Sequence, residues 1–86
     1  MKVFSVLDRT AEEFGPPFVA KNEGVALRQF RDLMEKTPPM VRGDFSLYCL
    51  AGWDPAIGIH DVLVAPEEVS LIDNVLPGKP DLTEVK

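Results

Sequence analysis

The two residues best suited to chemistry in this 86-residue chain are its only cysteine, Cys49, and its only histidine, His60. A thiol beside an imidazole is the usual arrangement of a cysteine nucleophile and its general base. Both residues fall on one face of a predicted hairpin, but the preferred register places Cys49 opposite Val64, about 14 Å along the strand from His60. That separation is far beyond hydrogen-bond reach, so the sequence predicts a buried structural thiol.

Other kinds of reactive or ligand-binding site are also disfavoured. One cysteine and one histidine cannot fill a structural zinc site without ligands from a second chain. Asp44, Asp54 and Asp61 do not have the spacing of a calcium loop. None of the six glycines forms a phosphate-binding G-x-G-x-x-G motif between a strand and a helix. The sequence therefore predicts a protein that is not an enzyme and that has no metal or cofactor.

One amphipathic helix is predicted over residues 23–36. Asn22 is a favourable N-cap, and Pro38 and Pro39 prevent the helix from continuing. Its apolar positions recur at helical spacing and predict one buried stripe, formed by Ala26, Leu27, Phe30, Leu33 and Met34. The opposite side is solvated, and there Arg28 and Arg31 have acidic residues at i+4 with which they are expected to pair.

Three segments alternate with the period of a β-strand, near residues 2–8, 44–53 and 59–65. Residues 18–20 offer a further short extended stretch. Together with the helix, these segments predict an α+β fold, in which a small antiparallel sheet carries one amphipathic helix on one face. Residues 1–72 are expected to form this single domain, and residues 73–86 an extended or mobile C-terminal tail.

The predicted hairpin turns at Asp54 and Pro55, with residues 55–58 as a four-residue loop that places Trp53 opposite His60. The face expected beneath the helix comprises Phe45, Leu47, Cys49, Ala51, Trp53, His60, Val62 and Val64. The opposite face comprises Ser46, Tyr48, Leu50, Gly52, Ile59, Asp61 and Leu63. An apolar stripe on that second face is unfavourable when it is exposed to solvent. Tyr48, Leu50 and Leu63 are therefore predicted to contact a partner protein or a second copy of the chain, unless the tail covers them.

Charge bears on the class of partner. The net charge of −5 argues against a protein whose main role is non-specific binding to a nucleic-acid phosphate backbone. The basic residues cluster only on and near the helix, at Lys21, Arg28, Arg31, Lys36 and Arg42. This cluster has two interpretations, a solvated helix face and a nucleic-acid contact. Trp53 likewise either closes the end of the core or offers a stacking platform for a base.

No apolar run reaches the roughly 18 residues of a membrane-spanning helix. The N-terminal segment turns acidic by Asp8 and lacks a signal-peptide cleavage site, so no membrane association is expected. The single cysteine cannot form an internal disulfide, which fits a reducing compartment such as the cytoplasm.

In order, the segments "MKVFSVLD", "PPF", "NEGVALRQFRDLM" and "GDFSLYCLAGWDPAIG" resemble a known family, the small nonstructural proteins of gokushoviruses and related single-stranded DNA microviruses. The resemblance covers residues 1–58. The positions that carry it are Val3, Phe4, Val6, Asp8, Pro17, Phe18, Ala26, Arg28, Phe30, Asp32, Asp44, Phe45, Leu47, Gly52, Trp53 and Asp54.

The resemblance implies a non-enzymatic phage accessory protein in the host cytoplasm, associated with single-stranded DNA during viral genome replication or packaging. Its expected contacts are Lys21, Arg28, Arg31 and Arg42, with Trp53 stacking on a base, and a dimer is expected. The alternative is an adaptor that binds a viral or host replication protein through the sheet face or the acidic surface. Replacing Arg28 and Arg31 by Glu would distinguish the two, because only DNA binding depends on them.

Overall fold

Residues 1–69 are described by the computed structural model. In chain order the elements are β1 (Lys2–Asp8), β2 (Glu13–Phe14), β3 (Phe18–Ala20), α1 (Glu23–Glu35), a 3₁₀ helix (Pro39–Asp44), β4 (Phe45–Asp54), β5 (Gly58–His60) and β6 (Glu67–Glu68). The predicted α+β fold is confirmed. The predicted domain end at residue 72 and the predicted tail from residue 73 lie outside the described residues. Within residues 1–69, no helix is both long and apolar enough to cross a lipid bilayer.

The sheet is built around the long antiparallel pair of β1 and β4, which runs from Lys2 opposite Gly52 to Asp8 opposite Phe45. The other edge of β1 pairs with β3 and β2, and the other edge of β4 pairs with β5 and β6. All of these pairings are antiparallel. β2 and β6 contain only two residues each, too few to show a period-two pattern, which is why the sequence did not predict them.

The helix α1 begins and ends where the sequence predicts, within one residue. The Asn22 side chain accepts a hydrogen bond from the Val25 backbone N–H at 2.9 Å, and Lys36 is the C-cap. The helix covers one face of the sheet, and the buried core between them consists of Phe4, Ala20, Ala26, Leu27, Phe30, Leu47, Cys49 and Val69. Leu33, which was predicted in the buried stripe, is 46% exposed because it lies at the open edge of this contact.

A β-bulge in β4 changes which side chains face the helix. Phe4 lies opposite Cys49, but Val3 lies opposite Ala51, so Leu50 is an extra residue without a partner in β1. One extra residue exchanges the two faces of a strand for every position beyond it. Ala51 and Trp53 therefore point away from α1, and their predicted position beneath the helix is wrong.

The hairpin turn is one residue shorter than predicted. Asp54 pairs with Gly58, so the loop contains only residues 55–57. The Asp54 carboxylate accepts the Ala56 N–H at 2.8 Å, the Ile57 N–H donates to the Asp54 carbonyl at 3.0 Å, and Gly58 has φ +84°. This is a turn closed by a residue in the left-handed region, a common three-residue hairpin loop.

The shorter loop changes the pairing across the hairpin. Trp53 lies opposite Ile59 and Gly52 lies opposite His60, so the predicted pairing of Trp53 with His60 is wrong. Trp53 and Ile59 share the face away from α1, whereas His60 shares the helix side with Cys49.

β5 ends at His60, and the predicted strand over residues 59–65 is wrong. Asp61 adopts φ +49°, which breaks the alternation. Val62 and Val64, which were predicted on the core face, are 69% and 105% exposed. Leu63 instead turns inward, where its N–H donates to the Leu50 carbonyl at 2.9 Å and its side chain packs against the core.

Candidate functional site

The register of the sheet places all but one of the described strand carboxylates on one side. We use the term outer face for the strand residues that point away from α1. It comprises Val3, Ser5, Leu7, Phe14, Val19, Ser46, Tyr48, Ala51, Trp53, Ile59 and Glu68. The strand carboxylates Asp8, Glu13, Asp54 and Glu67 all fall on the helix side. Among the strand residues described, Glu68 is the one carboxylate on the outer face.

An aromatic pair lies at one end of the outer face. The rings of Phe14 and Tyr48 meet edge to face, with centroids 5.5 Å apart and planes at 86°. Phe14 is 44% exposed and Tyr48 is half-buried. Ser5 lies between them on β1, and its hydroxyl donates to the Gly15 carbonyl at 2.7 Å. This hydrogen bond holds the short strand β2, and with it Phe14, against the sheet.

Arg9 supplies a positive charge at the same end. Its guanidinium donates to the Ser46 hydroxyl and to the Gly43 carbonyl, and its backbone N–H donates to the Asp44 carbonyl at 2.8 Å. Both side-chain partners are neutral, and within residues 1–69 no carboxylate lies within ion-pair distance of Arg9. Among residues 1–69, the charge of this exposed guanidinium is therefore held in place by neutral partners.

Trp53 occupies the other end of the outer face. It is half-buried beside Ile59, and with Val3, Val19 and Pro17 it lines a shallow groove of about 140 Å³. Trp53 and Tyr48 lie on the same side of β4, four ladder steps apart once the bulge is taken into account, which is about 13 Å at the rise of a strand. The outer face thus carries two aromatic positions joined by one strand.

The structure does not bring the predicted nucleic-acid contacts together. Arg28 and Arg31 are exposed on α1 and Lys21 is exposed in the loop before it, whereas Trp53 is on the outer face. Arg42 donates to the carbonyls of Thr37 and Glu35, and so caps the C-terminal end of α1. Among residues 1–69, neither predicted i, i+4 ion pair of the helix forms.

The predicted partner interface is also divided. Tyr48 lies on the outer face, Leu50 is the bulge residue, and Leu63 packs against the core on the helix side. Sequence reasoning missed Arg9 and Phe14, because each stands in a segment that was interpreted as a connection. The signal available for them was weak, consisting of one aromatic residue beside Gly15 and one basic residue after a strand.

Cys49 and His60 both face the helix side and border one cavity of about 260 Å³, together with Lys2, Asp61 and Glu67. Cys49 lies opposite Phe4 and Glu67, and not opposite Val64 as predicted. Burial raises the pKa of its thiol, an effect that Lys2 partly opposes.

The two residues have different hydrogen-bond partners. The Cys49 thiol approaches the Ala51 carbonyl at 3.9 Å, and His60 Nδ1 lies 2.8 Å from an Asp61 carboxylate oxygen. No set of three metal-binding side chains converges within the described part of the chain.

Fold and surface together define a small α+β protein with a helix on one side of a curled sheet and an aromatic, carboxylate-poor face on the other. The chain belongs to the phage ORF5 protein family, whose family model matches residues 1–75. No curated protein and no solved structure matches it. The family model covers more of the chain than the sequence resemblance, which ends at residue 58. Membership of this family indicates a small accessory protein of a bacteriophage.

Proposed function

We propose that this phage protein is a non-enzymatic accessory factor of a gokushovirus or related microvirus, and that it associates with single-stranded DNA in the host cytoplasm during genome replication or packaging. The observation that carries the proposal is the separation of charge across the sheet. The strand carboxylates Asp8, Glu13, Asp54 and Glu67 lie on the helix side, which leaves the outer face nearly free of them.

This separation bears on the acidity of the chain. A net charge of −5 repels a polyanion at long range, but screening limits such repulsion to about 8 Å at physiological ionic strength. Within that range the sign of the local surface charge affects binding more than the net charge of the whole chain does. Binding that relies on stacking needs few phosphate contacts, because every base presents an aromatic face.

The test is the fluorescence anisotropy of a labelled oligothymidine 20-mer titrated with the full chain, at low and at physiological salt. Trp53 emission is recorded in parallel, and a duplex of the same length is the control. We expect saturable binding to the single strand with a shallow salt dependence, a slope of about −0.7 in log K against log salt for each phosphate contact. Absence of binding at low salt, where phosphate contacts are strongest, would refute the proposal.

A second candidate function is an adaptor for a viral or host replication protein. It is favoured by the apolar side chains exposed at and after the β4–β5 hairpin, where Ile57 is 69% and Ile59 57% exposed. Titration of the phage's purified replication protein against the wild-type chain and against Ile57→Ser tests it. A complex that forms with the wild type and weakens with the variant would support the adaptor, and no complex with either would remove it.

A further inference from the structure

We propose that single-stranded DNA binds across the outer face of the sheet, with one base stacked at Tyr48 and Phe14, another at Trp53, and a phosphate on Arg9. The inference rests on the proposed function and assigns its site. It replaces the helix residues Arg28 and Arg31 as the principal contacts. The argument rests on four features of the outer face.

The first feature is the geometry of the aromatic pair. In an edge-to-face contact, one of the two rings contacts its partner only through its edge. The two faces of that ring are therefore not covered by the partner ring. With the centroids of Phe14 and Tyr48 5.5 Å apart, the pair presents a rigid aromatic step at the surface. Such a step can receive a base with little loss of side-chain entropy, because both rings are already held by the contact.

The second feature is the position of Arg9. Its guanidinium bonds Ser46, which lies two residues from Tyr48 on the same side of β4, about 7 Å away at the rise of a strand. An arginine has five N–H donors, and the contacts to Ser46 and Gly43 leave donors free. A cation fixed beside an aromatic step can bind the phosphate that joins a stacked base to the next nucleotide.

The third feature is the spacing of the two aromatic positions. Val3, Ser5, Ala51 and Ser46 are small or medium side chains and are all buried, with 1–6% exposure. These four residues are too buried to offer contacts themselves, so contacts on this face come from the aromatic residues at its two ends. About 13 Å between the stacking positions suits a short segment at the low end of the roughly 4–16 nucleotides that small single-strand-binding folds occupy.

The fourth feature is the unsuitability of the helix side. Arg28 and Arg31 alternate with Asp32 and Glu35 on the exposed surface of α1, so their local field is partly cancelled. Each of the two arginines lies on the opposite side of the sheet from Trp53. A short oligonucleotide cannot contact both sides at once.

The experiment compares two matched charge variants in the anisotropy titration. Arg9→Gln and Arg28→Gln remove the same charge from exposed positions on opposite sides of the molecule. We expect Arg9→Gln to weaken binding at least several-fold and to reduce the salt slope by about 0.7, and Arg28→Gln to change binding by less than about twofold. Equal effects of the two variants would overturn the site.

A second pair of variants tests stacking. Phe14→Leu and Trp53→Leu keep an apolar side chain and remove the aromatic ring, and each is expected to weaken binding about fivefold or more. If wild-type protein binds the oligonucleotide and both variants bind equally well, the site is wrong while the proposed function stands. If these variants instead abolish a dimer seen by sedimentation and leave DNA affinity unchanged, the outer face is an interface between copies, which also overturns the inference.

A measurement on the unmodified chain removes any dependence on variant folding. An oligonucleotide carrying iododeoxyuridine is irradiated with the wild-type protein, and the attached peptide is identified by mass spectrometry. Attachment to Phe14, Tyr48 or Trp53 is expected. Attachment only to residues of α1 would overturn the site, and absence of any binding in the titration would remove the proposed function together with it.

Discussion

The ring of Phe14 meets the ring of Tyr48 edge to face, and this contact reaches across β1 from β2 to β4. β2 contains two residues and pairs only with Leu7 and Asp8. Backbone pairing alone is therefore a weak restraint on this strand. The aromatic contact, with the hydrogen bond from Ser5 to Gly15, fixes the turn that carries Phe14 onto the sheet.

The strength of this contact can be measured by a double-mutant cycle. We expect Phe14→Leu and Tyr48→Leu to be non-additive in urea unfolding, with a coupling free energy of about 0.5–1.5 kcal/mol, the range found for aromatic pairs. Additive effects would show that the two rings stabilise the fold independently of one another.

The hairpin turn depends on a left-handed backbone at one glycine. Gly58 has φ +84°, a conformation that costs an L-residue about 1–2 kcal/mol, so Gly58→Ala should lower the free energy of unfolding by that amount. Gly43→Ala is the matched control, because a Cβ at Gly43 would meet no atom within 4 Å and its φ is not positive. The control should change stability by less than about 0.5 kcal/mol. Equal losses in the two variants would contradict this account of the turn.

Stability at alkaline pH should report the burial of Cys49. Burial raises the pKa of the thiol above 9.0, its ordinary value, so the unfolded chain loses this proton at a lower pH than the folded chain does. The contribution of the neutral thiol is therefore fully present below pH 9.0 and is lost as pH rises above it.

The matched measurement is urea unfolding of wild type and Cys49→Ala between pH 7 and 10.5. The variant should be less stable at pH 7, by about 1 kcal/mol for the lost buried group, and the difference should shrink above pH 9. The comparison cancels every effect of pH that the two proteins share. A difference that stays constant across this range would refute the prediction.

Glu68 gives a gain-of-affinity test of the outer face. It lies opposite Tyr48 and is the one strand carboxylate described on that face. Glu68→Gln keeps the shape of the side chain and removes the charge, so it should tighten single-stranded DNA binding by about two- to fivefold, as expected for one exposed charge. Glu67→Gln makes the same change on the helix side and should have a smaller effect. An equal gain from both would indicate a response to net charge alone.

Much of the fold is predictable from local signals. Asn22 and the Pro38–Pro39 pair determine where α1 begins and ends, and the alternation of "KVFSVLD" defines β1. These features depend on neighbours in sequence, so the sequence shows them directly. The α+β class follows once the helix has one apolar stripe to cover a sheet.

The faces of the hairpin could not be predicted in the same way, because the bulge at Leu50 leaves no mark in the pattern. The phase that forms places Gly52 against the His60 ring, where a Cβ would lie only 2.5 Å from His60 Cε1, and this close approach cannot be read from the alternation of "LAGWD". The register is decided by the partner strand, where Val3 lies opposite Ala51. The candidate site depends on this register, and Arg9 joins it only through contacts to Ser46 and Gly43 that are distant in sequence.

The central pairing of β1 with β4 also has a consequence for the order of events during synthesis. β1 leaves the ribosome before the other strands described, yet its long partner follows only after α1, since Lys2 pairs with Gly52 and Asp8 with Phe45. Val69, which belongs to the core, emerges later still. Until then the apolar side chains of β1 have only β2 and β3 as sheet partners, and slow closure of such distant contacts is typical of high contact order. The core of the nascent chain therefore closes only after Val69 has been made.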